Sequence, residues 1–290
     1  MDEYLIDKRM MRRAFSRAAA GYDASAVLQR EVCKRMLERL DFIRLKPVRL
    51  LDAGSGTGWG GRQLAEKYPD AEVISLDIAI GMLQSARKSA GWWQKLFGGK
   101  RQMAVCADVE ALPLAPNSVE MVWSNLAMQW CNDLPSTFVE LHRVLKPEGL
   151  AMFSTLGPDT LKELRHAFRD VDGHNHLNRF ADMHDIGDML VHAGFSEPVM
   201  DMEYITLTYD DVKSVLHDLK AIGAHNATKG RGQGLMGKSA FGRLLANYER
   251  LRKDGKLPAT YEIIYGHAWK PEPRKTSEGA DIIRTSFKLK

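Results

Sequence analysis

Short apolar runs alternate with amphipathic segments in the first half of the chain. The apolar runs have the length of strands, and they cover residues 47–54, 71–77, 101–108, 119–125 and 149–155. Between them, the apolar spacing of helices appears at residues 58–68, 80–90 and 135–147, and the last of these helices is expected to end at Pro147 and Gly149. This alternation predicts an α/β fold with a doubly wound, mostly parallel sheet.

Both flanks of this region also carry regular patterns. Residues 8 to about 40 are expected to be helical, because apolar residues recur on one side. Residues 182–195 predict a helix that stops at Gly194, and residues 199–209 and 259–269 alternate like strands, which makes seven strands. We therefore divide the chain into a helical segment (1–45), a main domain (46–270) with a helical insert at about 210–257, and a tail (271–290) in which "DIIRTSFKL" has the pattern of a short edge strand.

Composition and charge narrow the class of protein. The 290 residues are 44% hydrophobic and 27% charged, which is typical of a soluble globular protein. A net charge of +4 does not indicate a polybasic protein, so no nucleic-acid partner is expected. The charge is uneven, however, because residues 228–256 hold eight Lys or Arg and only two acids. Such a patch attracts an acidic partner or is simply a solvated pair of helices, and composition alone leaves both open.

Cysteine and histidine usage gives no sign of a metal site. Cys33, Cys106 and Cys131 are far apart and lack the C-x-x-C spacing, which argues against zinc or a disulfide framework. His174 and His176 are close in sequence, but no third ligand lies at a suitable spacing, so they are interpreted as loop histidines. The first residues lack the apolar core of a secretory signal, and no apolar run approaches the ~18 residues of a membrane span. We expect a cytoplasmic protein.

Polar residues and glycines follow the predicted strands at the points where the strands end. Asp52 and Gly54 close the first strand, Asp77 the second and Asp108 the third, and Ser124 and Asn125 close the fourth. Since parallel strands of a doubly wound sheet carry their ligand at their carboxyl ends, we expect these residues to face one crevice.

The glycine loop "GSGTGWGG" (54–61) raises the question of which ligand lies in that crevice. A nucleoside triphosphate is improbable because the loop has no lysine for the phosphates. The dinucleotide fingerprint is G-x-G-x-x-G, whereas Gly54, Gly56 and Gly58 give G-x-G-x-G. Asp77 would bind a ribose diol under either interpretation.

The acids favour S-adenosylmethionine. Asp52 would repel a pyrophosphate but suits a ligand that carries an ammonium and a sulfonium, and Asp108 can accept from an adenine amino group. Each acid alone could equally be a helix cap or a surface carboxylate. Together they predict a cofactor site made of Asp52, Gly54, Gly56, Gly58, Asp77, Ile78, Met82, Asp108, Val109, Ser124 and Asn125.

Longer motifs extend this interpretation to a family. Over residues 46–270 the chain resembles the class I S-adenosylmethionine-dependent methyltransferases, whose fold is Rossmann-like. It more closely resembles the malonyl-acyl-carrier-protein O-methyltransferases of biotin synthesis, and "WSNLAMQWCNDL" is the most specific shared segment. Ser55 stands where many relatives carry cysteine. The other segments that carry the resemblance are residues 15–32, 107–134, 155–168, 176–195 and 258–269.

The resemblance implies an activity and a partner. A methyl group would pass from the cofactor to the free carboxylate of a malonyl thioester on acyl carrier protein. The carrier would be an acidic partner that docks on the Lys and Arg of residues 228–256, and residues 1–45 would form a helical lid over the cofactor. Three alternatives stay open: a methyltransferase-fold assembly factor without this activity, a methyltransferase that acts on another carboxylate, and an NAD-dependent oxidoreductase.

Three residues are candidates for the reaction itself. Tyr22, in the lid of this family, would contact the methyl end of the methionine moiety, although helix packing also explains it. Arg179 offers a guanidinium fork for the malonyl carboxylate or pairs locally on the surface. Trp130 lies just past the fourth strand and is either a wall of the substrate site or a core residue.

Overall fold

A seven-stranded sheet with helices on both faces forms the centre of the protein. The computed structural model describes residues 4–97, 103–169, 171, 177–221 and 236–273. The strands are β1 (Arg49–Ala53), β2 (Glu72–Asp77), β3 (Met103–Cys106), β4 (Val119–Ser124), β5 (Leu145–Leu156), β6 (Ser196–Tyr209) and β7 (Leu257–Trp269). Their order is β3-β2-β1-β4-β5-β7-β6. The first five pair in parallel, and β7 runs antiparallel to both of its neighbours.

The helices connect and cover these strands. They are α1 (Lys8–Ala18), α2 (Tyr22–Ser25), α3 (Val27–Arg39), α4 (Trp59–Lys67), α5 (Ile80–Phe97), α6 (Leu134–Val144), α7 (Lys162–Phe168), α8 (Met183–His192), α9 (Val212–Ala221) and α10 (Lys238–Glu249). None of the helices, as far as the described residues show, is long and apolar enough to span a bilayer.

The central strands read as apolar runs because both of their faces are buried. Trp123 of β4 belongs to the core on one side of the sheet, together with residues of α3 and α4. Val122, its neighbour in the strand, belongs to the core on the other side, where Phe138 of α6 packs against Phe153 of β5. Alternate residues of one strand thus fill two separate cores, which fixes the layers on either side of the sheet.

The predicted fold class is confirmed, and two element boundaries need correction. The helix expected to continue to Pro147 ends at Val144, and β5 starts at Leu145, which pairs with Val119 of β4. The third strand is shorter than expected, since it stops at Cys106 and leaves Asp108 in the following loop. The tail pattern "DIIRTSFKL", His174, His176 and residues 222–235 of the insert lie outside the described residues.

Candidate functional site

A deep cleft opens at the carboxyl ends of the parallel strands. It is lined by residues from several strand ends and from the helices before β1. Ten of the predicted site residues line it: Tyr22, Gly54, Gly56, Asp77, Ile78, Met82, Asp108, Val109, Asn125 and Trp130. The sheet topology therefore brings together residues that are more than a hundred positions apart in the sequence.

The glycine loop forms the floor of the cleft at the end of β1. Gly54 has φ +81°, and a Cβ atom there would lie 2.3 Å from the Cβ of Ala127, so any side chain would clash. Gly56 has φ +54°, and a Cβ atom at that position would meet no heavy atom within 4 Å. The backbone of the loop is thus exposed to the cleft, and a ligand can approach it closely.

Asp77 at the end of β2 organises the loop. Its Oδ2 accepts from the backbone N–H of Gly56 at 2.9 Å, and its Oδ1 accepts from the N–H of Ala79 at 2.7 Å. Burial raises the pKa of this carboxyl to about 6, although both hydrogen bonds act in the opposite direction. Asp77 therefore presents a buried carboxylate at neutral pH, with lone pairs left for a diol.

Asp52 lies in a smaller pocket that adjoins the cleft and shares Tyr22, Gly54, Gly56 and Asn125 with it. The side chain is 2% exposed. Burial, and then the negative charge of Asp77, raise the pKa of Asp52 to about 7. The pocket would therefore be stabilised by a cation.

Several buried polar atoms around Asp52 have no hydrogen-bond partner within the described part of the chain. They are Oδ2 of Asp52, Oε1 of Gln29, Oγ of Ser55 and Nε1 of Trp123. Buried polar groups are almost always paired in folded proteins. This cluster therefore has the chemistry of a binding site for a small zwitterion such as an amino acid moiety.

The opposite end of the cleft is closed by α1. Met11 and Phe15 line the cleft from above, and Phe15 packs edge-to-face on Trp130 with the ring centroids 5.1 Å apart. The side-chain amide of Asn132 accepts from the N–H of Ile6 at 2.7 Å and donates to its carbonyl at 3.1 Å. Residues just before α1 are therefore anchored to the loop after β4, and α1 lies as a lid over Ile78 and Asp108.

Tyr22 at the start of α2 lies between the two ends. It lines both the cleft and the Asp52 pocket, and it packs against Ala19, Ala79 and Met82. Burial, followed by the charges of Asp77 and Asp23, raises the pKa of the phenol far above neutrality. Tyr22 is therefore a neutral hydroxyl donor at physiological pH.

Comparison with known proteins places this site in a family. Residues 51–153 match the family model of the methyltransferase domain. The chain is 78% identical to the malonyl-[acyl-carrier protein] O-methyltransferase of Gallionella capsiferriformans (strain ES-2), over 100% of both proteins. This chain belongs to the malonyl-[acyl-carrier protein] O-methyltransferase family. A relative of the same name from Nitrosospira multiformis is 60% identical over 94% of this chain and 92% of that protein.

Solved structures agree on the fold. The YcgJ protein of Bacillus subtilis superposes with a TM-score of 0.59 over 84% of this chain and 99% of that one, at 14% identity. The cofactor prediction is confirmed as well, since S-adenosyl-L-methionine is the methyl donor of the class I methyltransferases to which this family belongs. The residues present fit it: an open glycine floor, the buried carboxylate of Asp77 and buried polar atoms near Asp52 that have no partner among the described residues.

Two of the predicted cofactor residues are placed where they support the site from outside the cleft. Gly58 has φ +76° and starts α4, and a Cβ atom there would lie 3.0 Å from the Cβ of Ala86 on α5. Ser124 is fully buried and donates its hydroxyl to the carbonyl of Ala53 at 2.8 Å. Their assigned contact with the cofactor stays a prediction.

Arg179 lies outside the cleft lining. Its guanidinium stacks over the ring of Tyr4, with Cζ 4.7 Å from the ring centroid. The neighbours Asn178 and Phe180 do line the cleft, and Oδ1 of Asn178 is buried without a partner among the described residues. The role of Arg179 as a carboxylate ligand stays a prediction, and it would require the guanidinium to leave Tyr4.

Sequence reasoning missed three residues that complete the site in this family member. Lys8 lines the cleft and bonds to Asp108, Gln29 from α3 contributes one of the unpaired oxygens, and Asn132 anchors the chain before α1. For Lys8 a signal existed, because it shares one helical face with Met11 and Phe15. Asn132 gave no signal, since its partner is a backbone group 126 residues away.

Proposed function

We propose that this chain transfers a methyl group from S-adenosyl-L-methionine to the free carboxylate of a malonyl group carried on acyl carrier protein. The observation that carries the proposal is the 78% identity, over the full length of both proteins, to a relative of that name. The product would be the methyl ester of malonyl-acyl carrier protein, in which a charged end is masked so that fatty-acid elongation can extend it toward biotin. A cytoplasmic location stays a prediction.

The reaction needs little acid–base catalysis from the protein. A malonyl carboxylate is ionised at neutral pH and needs no general base. The bound cofactor supplies an electrophilic methyl group on a sulfonium. The chain's own task is to hold the carboxylate oxygen in line and to exclude water, and such positioning is worth roughly 7–11 kcal/mol.

The walls of the cleft suit that task. Apolar surface in the cleft comes from Trp130, Leu161, Phe180 and Tyr261. Tyr22, held neutral by its surroundings, can donate to an oxygen without delivering a full positive charge. This arrangement supports a carboxylate that is stripped of water but not protonated.

The amide of Asn178 is a second candidate for holding the substrate carboxylate, beside Arg179. Asn178 lines the cleft, and its Nδ2 group can donate to a carboxylate oxygen. A neutral donor leaves the carboxylate more nucleophilic than a guanidinium would.

The basic residues of 228–256 are the docking site proposed from the sequence for the acidic carrier. In the described part of this stretch, Arg243 donates to the carbonyl of Val171, Arg252 to that of Asp210, and Lys256 pairs with Asp210. Lys238, Arg250 and Lys253 make no such bond to the described residues. Among the described residues of this stretch, these three are therefore the cations most available for docking.

The activity is tested by incubating malonyl-loaded carrier protein with the enzyme and the cofactor. A mass increase of one methylene unit on the carrier, reversed by mild base, is the expected result. Absence of that increase with the malonyl carrier, together with methylation of another carboxylate, would replace the substrate. Cofactor binding without any methyl transfer would favour an assembly factor instead.

A further inference from the structure

The outer, solvent-exposed face of the lid helix α1 carries only positive charges. Arg9, Arg12, Arg13 and Arg17 are all exposed, and α1 contains no acidic residue. The four side chains make no hydrogen bond or ion pair with any residue that the structure describes. Four uncompensated cations therefore follow one another on one helix that covers the cleft.

This pattern acts against the stability of the helix itself. Arg9 and Arg13, and again Arg13 and Arg17, are like charges four residues apart, and such pairs repel on a helix surface. Arg9 also lies in the first turn, where the helix dipole favours acids. An acidic partner bound on this face would relieve the repulsion.

The inner face of the same helix belongs to the site. Lys8, Met11 and Phe15 line the cleft, while Ser16 packs directly on Gly81, where a Cβ atom would come within 2.7 Å of the Ser16 carbonyl. On this side, α1 is therefore the layer that separates the cofactor cleft from solvent. Arg179, stacked on Tyr4 shortly before α1, adds a further cation at its N-terminal end.

We infer that the arginine face of α1, made of Arg9, Arg12, Arg13 and Arg17, is the docking surface for the acidic carrier protein. The inference rests on the proposed function for its partner. It moves the main contact away from the insert at 228–256, where Arg243, Arg252 and Lys256 are bonded within the chain, to a helix whose four arginines are bonded to no described residue. A carrier bound on α1 lies beside the cleft that its acyl arm must enter and holds the lid against the site.

Two sets of substitutions compare these surfaces. In the first, Arg9, Arg12, Arg13 and Arg17 are each changed to Gln, and a second version changes only Arg12 and Arg13 to Glu. The matched set in the insert is Lys238→Gln, Arg250→Gln and Lys253→Gln. Affinity for S-adenosylmethionine, measured by calorimetry, shows whether α1 still folds over the cleft in each variant.

The readouts separate docking from chemistry. We expect the α1 set to raise KM for malonyl-carrier protein by about tenfold or more at low salt, and to flatten its salt dependence. Activity toward malonyl-pantetheine, which has no carrier domain, and cofactor affinity are expected to stay within about twofold. The insert set is expected to change KM for the carrier much less.

Binding of the carrier without a malonyl group, measured by calorimetry, is independent of methyl transfer. Loss of that binding in the α1 set, with binding kept in the insert set, supports the dock even if the substrate assignment fails. Unchanged carrier binding in the α1 set would overturn the inference while leaving methylation intact. So would equal loss of activity toward malonyl-pantetheine, or binding of anionic lipid vesicles in place of the carrier.

Discussion

The Nζ of Lys8 in α1 lies 3.1 Å from Oδ1 of Asp108, just past β3, and 2.8 Å from Oε2 of Glu110. The lid helix and the predicted adenine-binding carboxylate are thus joined directly across 100 residues of sequence. The lysine is mostly buried, so its charge depends on these two partners. We therefore expect a change at Lys8 to alter both the seating of α1 on the cleft and the surroundings of Asp108.

Replacing Lys8 with Met should loosen the lid over the bound cofactor. A half-buried ion pair of this kind contributes about 1 kcal/mol, which corresponds to roughly fivefold in Kd for S-adenosylmethionine. The loss should appear as faster cofactor release, measured by stopped-flow fluorescence. Lys34→Met is the matched control, because Lys34 forms only an exposed pair with Glu38 at 4.0 Å. Equal release rates in both variants would contradict the coupling.

Removing the carboxylate of Asp77 should weaken cofactor binding strongly. Asp77→Ala removes the acceptor for the predicted ribose diol and the bond that holds Gly56. Bonds to a charged group contribute about 1.5–3 kcal/mol each, so affinity should fall roughly 10- to 100-fold or more. Calorimetry should show almost no change for Asp70→Ala, which removes an acid in the turn before β2, at the edge of the sheet opposite the carboxyl ends of the parallel strands. Similar losses in both would end the ribose assignment.

A side chain at Gly54 should damage both the fold and the site. Gly54→Ala would force a Cβ atom to within 2.3 Å of the Ala127 methyl at a φ of +81°. We expect a loss of about 2 kcal/mol or more in the free energy of unfolding, followed in urea, together with weaker cofactor binding. Gly242→Ala, in α10 with no atom within 4 Å, should be neutral or stabilising. A stable Gly54→Ala protein with normal affinity would contradict the close approach at the loop.

Asp52 should make the stability of the cofactor-free protein depend on pH. Its pKa is raised from 3.8 to about 7, so the folded chain binds this proton more tightly than the unfolded chain. The contribution of this proton to the free energy of unfolding is complete below about pH 4 and is lost as pH rises to about 7. Each unit by which the pKa is shifted corresponds to about 1.4 kcal/mol. Asp52→Asn stays neutral throughout.

The Asp52→Asn variant should therefore gain stability relative to the parent protein as pH rises from about 5 to about 8. Chemical unfolding at several pH values measures this difference. Saturating S-adenosylmethionine should reduce it, because the cationic ligand stabilises the charged carboxylate of the parent. A difference that is independent of pH would show that Asp52 is not the buried titrating group.

The strand ends could be predicted well from the sequence because buried parallel strands are continuous runs of apolar residues. Asp77, Asp108 and Asn125 could be placed at one crevice from that pattern alone, and all three line the cleft. The apolar pattern could not distinguish residues that line the cleft from residues that support the lining from behind. Ser124 is a case of the second kind, since its hydroxyl bonds to Ala53 and its side chain is fully buried.

Contacts between side chains that are far apart in the sequence could not be predicted. The orientation of Arg179 is set by stacking on Tyr4, and the lid is held by a backbone bond to Asn132. Neither contact has a periodic signature. Similarly, the end of α6 at Val144 follows from the pairing of Leu145 with Val119, a tertiary contact that overrides the helical pattern before Pro147.

Mass spectrometry of malonyl-acyl carrier protein after incubation with this protein and S-adenosylmethionine tests the central claim most directly. The expected result is a base-labile gain of one methylene unit on the malonyl group, present with the parent protein and strongly reduced with Asp77→Ala. No mass gain on the carrier from a preparation that binds S-adenosylmethionine normally would contradict the claim.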